Sequence, residues 1–241
     1  MNLIVDIGNT SAKLAVFSID ALIEKITAPH DKLLKTVRTL KKNYALKKGI
    51  VSSVGTFDLA LIKKAGGLHH FIELNHNTPV PFKNLYGSKE TLGVDRIALA
   101  AAAVTTYPSK NVLVIDAGTC ITYDFVNNDA EYFGGGISPG ITMRYKAINT
   151  FTARLPLLEK TDFELTGADT ASSIHSGVLG GVIYEIEGTI NEYIAKYQTL
   201  TVVLTGGDTN FLAKKLKSTI FANPIFLLAG LNSILIHNSQ E

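Results

Sequence analysis

The sequence predicts an α/β fold made of two similar halves, and three observations carry that reading. The first is a polar tip that occurs twice. Asp6-Ile7-Gly8-Asn9-Thr10 ends one short apolar run and Asp116-Ala117-Gly118-Thr119 ends another, 110 positions later. The second is the order of elements after the first tip, strands and helices alternating in a way that suits packed layers rather than a bundle or a sandwich. The third is size: 241 residues, 46% of them hydrophobic, can bury a full core. Duplication divides the chain into domains 1–110 and 111–241. Two such tips, each heading its own half, predict domains that face one another across a cleft suited to a nucleotide phosphate chain.

Taken in order, Leu3 to Ile7 and Ala12 to Phe17 read as a hairpin, because β-branched and apolar residues favour strands while Gly8 and Asn9 tolerate the backbone of a tight turn. Gly8 would let a phosphate approach the main chain. Asn9, Thr10 and Ser11 supply donors, and Asp6 offers oxygen to a hydrated Mg²⁺. An ordinary Asn-Thr turn explains the same residues, and it is the second copy that shifts the balance. Ala21 to Thr27 continues as a third strand. Asp31 to Tyr44 carries Leu33, Leu34, Val37 and Leu40 at helical spacing, with Asp31 at the helix start. Gly49 to Val54 is a buried strand, Phe57 to Ala65 a helix closed by Gly66-Gly67, and Phe71 to Leu74 another strand. Residues 75–89, with Pro79 and Pro81, form a surface loop.

Gly93-Val94-Asp95-Arg96 opens an alanine-rich helix running from Ile97 to Tyr107. Asp95 has a plain reading as a helix cap or first-turn acid. Its place directly before the second tip also makes Asp95 and Arg96 candidates for the reacting end of a site. Ile121 to Phe125 is the return strand of the second hairpin. Further on, Gly136-x-Ser138-x-Gly140 matches the nucleophile elbow of serine hydrolases, but Pro139 lacks the N–H that an oxyanion hole there requires. These glycines are read instead as sites of close approach, with Pro139 starting the next helix. Thr170 to Tyr197 is a long helical segment in which Gly177, Gly180 and Gly181, each costing up to ~1 kcal/mol against alanine, predict close packing or a break. Thr201 to Leu204 is a strand ending in Thr205-Gly206-Gly207-Asp208, either a simple turn or a flat bed for a nucleobase. Phe226 to Leu231 reads as a strand entering a last helix.

Composition removes several classes of function. With 23 basic and 21 acidic residues the net charge is +2 and no basic block exists, so a nucleic-acid partner is not expected. The apolar run Ile97 to Val104 is too short for a bilayer, which needs ~20 residues, and Met1-Asn2-Leu3 has no basic leader, so a cytoplasmic protein away from membranes is expected. Cys120 is the single cysteine, excluding an internal disulfide; a small buried hydrophobe is the better reading of it than a reactive thiol. His69, His70, Glu73 and His76 fit no zinc spacing, and neither a P-loop nor a dinucleotide fingerprint occurs.

With these residues in place the chain resembles the type III pantothenate kinases of the acetate and sugar kinase, Hsp70 and actin superfamily. The resemblance rests on Asp6-Ile7-Gly8-Asn9-Thr10 with Ser11, Ala12 and Lys13 following, on Asp116-Ala117-Gly118-Thr119, on Gly93-Val94-Asp95-Arg96, on Gly134 to Gly140 and on Thr205-Gly206-Gly207. It implies two ribonuclease-H-like domains, Mg-ATP between them, a homodimer, and phosphorylation of pantothenate at its primary hydroxyl as the first step of coenzyme A synthesis. By motif, the stretch from Asp6 to Lys13 and Thr119 would bind the nucleotide and Asp95 would be the general base. Tyr86, Gly93, Val94, Asp95, Arg96 and Thr170 would bind substrate, and Asp116 would hold K⁺ or NH₄⁺. Asp169 stands where the family more often has Asn. The dimer interface is expected to include part of the segment after Thr170, an apolar, glycine-containing helix with little room to be buried within small domains. Another kinase of the superfamily acting on a sugar or acylate, and a non-enzymatic accessory factor for transcription, are the alternatives.

Overall fold

The computed structural model describes residues 1–8, 11–53 and 57–239. By internal contacts these group into two units, one of Met1–Pro108, Ala130–Tyr132 and Ile225–Glu241, the other of Ser109–Asp129 and Phe133–Pro224. The expected division at 110/111 differs mainly in the last helix, which groups with the first unit.

In the first unit, β1 (Asn2–Ile7), β2 (Ala12–Ser18) and β3 (Ala21–Ala28) form an antiparallel meander. A 3₁₀ turn at His30–Lys32 precedes α1 (Leu33–Asn43), so Asp31 stands in that turn rather than at the α-helix start. There follow β4 (Lys48–Ser53), α2 (Leu59–Gly66) and β5 (His70–Glu73). Asp58 caps α2 by accepting from the Ala60 N–H, and Gly67, at φ 58°, ends it in the left-handed conformation that glycine adopts at no steric cost. The sheet order is β3-β2-β1-β4-β5, with β4 parallel to β1 and β5 parallel to β4. Leu3, Val5 and Leu14 share one core with Leu33, Val37 and Leu40 of α1 and Ile62 of α2. Each such burial is worth about 1.5–3 kcal/mol.

Two features of this unit were not expected. Within the loop at 75–89 lies a short strand, β6 (Lys83–Asn84), which pairs in parallel with Glu131 and Tyr132. The stretch Phe226–His237 is helical from its first residue, not a strand entering a helix. It packs on α3 (Val94–Thr106). A Cβ at Gly230 would fall 1.8 Å from the Ala98 carbonyl oxygen, so the glycine and the alanines of α3 let the two backbones nearly touch. A short apolar run buried all round is equally suited to strand or helix, and this contact decided it.

The second unit repeats the plan. β7 (Val112–Ala117) and β8 (Cys120–Val126) form its antiparallel hairpin, and β9 (Glu131–Pro139) follows, only its first two residues grouping with the other unit. Next come α4 (Ile141–Thr150), α5 (Thr170–His175), a π-helical turn at Ser176–Gly180, α6 (Gly181–Tyr197), β10 (Thr201–Thr205), α7 (Thr209–Leu212) and β11 (Phe221–Ala222). The strand order β9-β8-β7-β10-β11 is that of the first unit, with β10 parallel to β7 and β11 parallel to β10. The glycines of the long segment mark a π turn, the break their cost anticipated. Pro139 ends β9 and Gly140 is the N-cap of α4, so the proline does not start that helix. The final helix is α8 (Phe226–His237).

Candidate active site

The first unit presents the tip of the β1–β2 hairpin. The Gly8 N–H donates to the Ser11 carbonyl at 3.1 Å, and His30 Nε2–H donates to the Gly8 carbonyl at 3.0 Å, the tautomer that a carbonyl partner demands. Asn9 and Thr10 lie outside the described residues. Asp6 is the fifth residue of β1, opposite Lys13 across the hairpin and opposite Ser52 on β4. The Ser52 hydroxyl, itself only 1% exposed, donates to Asp6 Oδ1 at 2.8 Å. Burial pushes the Asp6 carboxyl above its ordinary range and the nearby Asp95 charge pushes the same way; the Ser52 hydrogen bond and the Lys13 charge oppose them without prevailing. Two carboxylates here thus sense each other. Ile7 and Ala12, expected to bind nucleotide, are buried beneath the tip, where only their main chain could serve a ligand.

Asp95 is the second residue of α3. Its Oδ1 accepts from the Arg96 N–H at 2.9 Å, so the plain capping role and proximity to Asp6 coexist in one side chain. The N-cap is Gly93, and the reason is steric. A Cβ there would fall 2.4 Å from Asp95 Oδ1, so only a bare residue leaves the carboxylate its folded-back position. Arg96 is buried, with its guanidinium 5.5 Å from the centre of the Tyr86 ring. Tyr86 in turn lies against Tyr132 at 6.2 Å, and Tyr132 against Phe82 at 5.8 Å. The short pairing of β6 with the start of β9 brings these rings together.

The second unit presents the β7–β8 tip. Asp116 is again the fifth residue of its strand, facing Thr122 across the hairpin and Thr205 on the parallel neighbour β10. Thr119 is exposed at the tip and Cys120 is half-buried, less deeply than expected. Glycines surround this tip. Gly206, at φ 96°, would place a Cβ 2.4 Å from Asp116 Oδ1 and 2.5 Å from the Ala117 carbonyl oxygen, while one at Gly140 would meet the Gly118 and Thr119 carbonyls at 2.4 Å. These separate motifs of the sequence converge on the carbonyl-rich backbone beside Asp116, while Gly207 faces open space.

Thr170 is exposed at the first position of α5 and belongs to this unit, whereas Tyr86 and Gly93 to Arg96 belong to the other. Asp169 caps the helix in a capping box with Ser172, so aspartate replaces asparagine without loss of the cap. Ser138 of the hydrolase-like pattern donates to Glu185 Oε2 at 3.1 Å and accepts from Arg144, which also pairs with Glu185; Tyr123 donates to the other Glu185 oxygen at 2.7 Å. A serine held in such a network is structural. Sequence reading missed Ser52 and Tyr132 as parts of the site. A serine in the buried stretch Ile50 to Ser52 was a signal, whereas nothing in the spacing of Tyr132 announced its ring partners.

A family model described as type III pantothenate kinase matches residues 2–192. The type III pantothenate kinase of Christiangramia forsetii is 47% identical over 243 residues, covering 100% of both chains. Among solved structures, a proposed Baf family transcriptional activator from Campylobacter jejuni superposes with a TM-score of 0.68 at 24% identity, covering 99% of this chain and 100% of that one. Glucokinase from an Antarctic psychrotroph superposes with a TM-score of 0.55 at 14% identity, covering 99% of each chain. At those identities the two structures speak for the fold alone, a mixed α/β architecture with two sheets of the actin-like ATPase kind.

Proposed function

From the premise that the chain belongs to the type III pantothenate kinase family, we propose how its residues divide the work of phosphoryl transfer. The protein is an ATP-dependent pantothenate kinase. The pantothenate hydroxyl oxygen attacks the γ-phosphorus of ATP, the bond from that phosphorus to the bridging oxygen breaks, ADP leaves, and the hydroxyl proton passes to Asp95. The product is 4′-phosphopantothenate, and the reaction opens coenzyme A synthesis. Such transfer needs alignment and charge neutralisation more than covalent help.

The observation that carries this assignment is Asp95 folded back over the bare Gly93 at the opening of α3, near enough to Asp6 for its charge to help raise that carboxyl. The Arg96 N–H occupies Oδ1, which leaves Oδ2 for the substrate proton. Arg96 and Tyr86 are assigned to pantothenate together with the backbone of Gly93 and Val94, and Thr170 is assigned to the same substrate by motif alone. The tip from Asp6 to Lys13, together with Thr119, receives the nucleotide phosphates.

Among the described residues no group of three or more His, Cys, Asp or Glu side chains could hold a metal by itself. Mg²⁺ suits the Asp6 carboxylate beside nucleotide phosphates, because it keeps its waters and binds through one or two carboxylates plus phosphate oxygens. Asp6 would hold its water shell, and the ion would neutralise charge on the phosphates. Asp116, whose Oδ1 lies with the Ala117 carbonyl oxygen on the Gly206 side of the tip, suits a large monovalent cation, K⁺ or NH₄⁺, among mostly neutral oxygens.

The protein acts as a homodimer, a reading supported by exposed apolar side chains of the second unit, including Tyr184 and Ile194 on α6, Phe151 and Leu165. Sedimentation at assay concentration should give twice the chain mass; a fully active monomer would refute it. No helix among the described residues is long and apolar enough to cross a membrane, and a cytoplasmic location accords with the substrates.

ADP release measured with pantothenate, with sugars and with short carboxylic acids tests the activity. Release should depend on pantothenate alone, and its absence at saturating Mg-ATP and K⁺ would overturn the assignment.

A further inference from the structure

Ser52 ends the buried part of β4, and a hydroxyl in such a place must find a partner. Any strand carbonyl would satisfy it. Instead it donates to Asp6 Oδ1 at 2.8 Å, from the position directly opposite in the parallel register. We propose that Ser52 is a positioning residue, whose single proton ties one oxygen of the Asp6 carboxylate and thereby presents the other to the water shell of the Mg²⁺ that accompanies ATP. The inference rests on the kinase reading given above and adds a residue to it.

The chemistry of the pocket explains why a tether is needed. An aspartate has two rotatable bonds, and this one lies opposite Lys13 across the hairpin. Without a tether, the orientation of its carboxylate would be set by neighbouring charges rather than by the nucleotide's ion. A hydroxyl donates one hydrogen bond, so it fixes one oxygen and cannot occupy both, unlike an arginine, which would engage the pair. Ser52 therefore orients Asp6 without competing for its ligand.

The test uses the full-length protein and four variants, Ser52→Ala, Ser52→Cys, Ser52→Thr and Asp6→Asn, with the double variant of Ser52→Ala and Asp6→Asn. Binding of a non-hydrolysable ATP analogue is followed by calorimetry as Mg²⁺ is varied, alongside kcat and the thermal midpoint. Ser52→Ala should raise the Mg²⁺ concentration for half-maximal nucleotide binding about tenfold, the scale of a lost hydrogen bond to a charged group. At saturating Mg²⁺ its kcat should stay within about threefold of the parent, since the chemical step uses Asp95. Ser52→Cys, a weak donor of similar size, should share that defect, and Ser52→Thr should restore the parent value. In the Asp6→Asn background, Ser52→Ala should add nothing, because its effect runs through the carboxylate. An unchanged Mg²⁺ requirement in both Ser52→Ala and Ser52→Cys, or an equal penalty with and without Asp6, overturns the inference. A parent protein with no Mg²⁺-dependent nucleotide binding overturns the kinase reading instead, so the two failures are distinguishable.

Discussion

The two hairpin tips are built on one plan and furnished differently. Each has its aspartate at the fifth position of a six-residue strand, and each aspartate has a hydroxyl residue opposite on the parallel neighbour, Ser52 in one and Thr205 in the other. Across the hairpin they part company: Asp6 faces Lys13 and Asp116 faces Thr122. The Thr122 hydroxyl, moreover, donates to Asp124 at 2.9 Å. The first tip is thus a charged cluster, and the second is a carboxylate among backbone carbonyls and glycines. The two helices that pack together in the first unit also open differently. The opening of α3 carries Asp95 and Arg96, while α8 starts with Phe226-Leu227. A duplicated scaffold can keep its strand register and still assign different guests to its halves by changing the residue across the strand.

The largest expected effect falls on the half proposed to carry the reaction. Asp95→Asn keeps shape and removes the proton acceptor, and turnover should fall about 10²-fold or more with nucleotide binding retained. Turnover at the parent level in that variant would return Asp95 to a helix cap and erase the difference between the two helix openings.

Next in size is a pair of alanine substitutions. Gly206→Ala puts a side chain at φ 96° and 2.5 Å from a backbone carbonyl, so the second tip must shift. The cost should be about 1–3 kcal/mol, lowering the thermal midpoint by roughly 2–4 °C for each kcal/mol. Gly8→Ala should be nearly silent in stability, since its new carbon would lie 3.5 Å from the Ser11 carbonyl, an ordinary contact. Equal midpoints for the two variants would contradict the asymmetric glycine shell.

The smallest effect concerns acid stability. Burial raises the Glu185 carboxyl, but hydrogen bonds from Arg144, Tyr123 and Ser138 outweigh it and hold the group below its ordinary value of 4.5. A carboxyl lowered by folding stabilises the fold above its unfolded value, and that stabilisation disappears as pH falls through the folded one. The thermal midpoint should therefore decline below about pH 4.5, and Glu185→Gln should flatten that decline. An unchanged acid limb in the variant would exclude Glu185 as its source.

Much of this was legible in the sequence, for identifiable reasons. Local rules located the hairpins, the closure of α2 at Gly67 and the break in the long helix, since turn residues, alternation and the cost of glycine all act over a few positions. Non-local pairing was not legible. That β6 would find Glu131 and Tyr132, that Ser52 would lie opposite Asp6, and that Phe226–His237 would be a helix buried on α3 depend on register and on distant partners. The site divided along the same line. Asp6, Asp95 and Asp116 were visible as polar residues ending apolar runs or opening a helix, while the hydroxyl bonded to Asp6 and the rings grouped beside Arg96 required three dimensions.

The difference between the tips is tested most directly by a cation matrix. Activity and nucleotide binding of the parent, Asp6→Asn and Asp116→Asn are measured as Mg²⁺ is varied at fixed K⁺, then as K⁺, Na⁺ and a bulky organic cation are exchanged at saturating Mg-ATP. The parent should require K⁺, with Na⁺ a poor substitute. Asp116→Asn should weaken activation by K⁺ more than it alters ATP affinity, and Asp6→Asn should raise the Mg²⁺ requirement while leaving the K⁺ preference in place. Equal rates in all three monovalent cations, or variants that shift the same ion alike, would contradict the division of labour between the two tips.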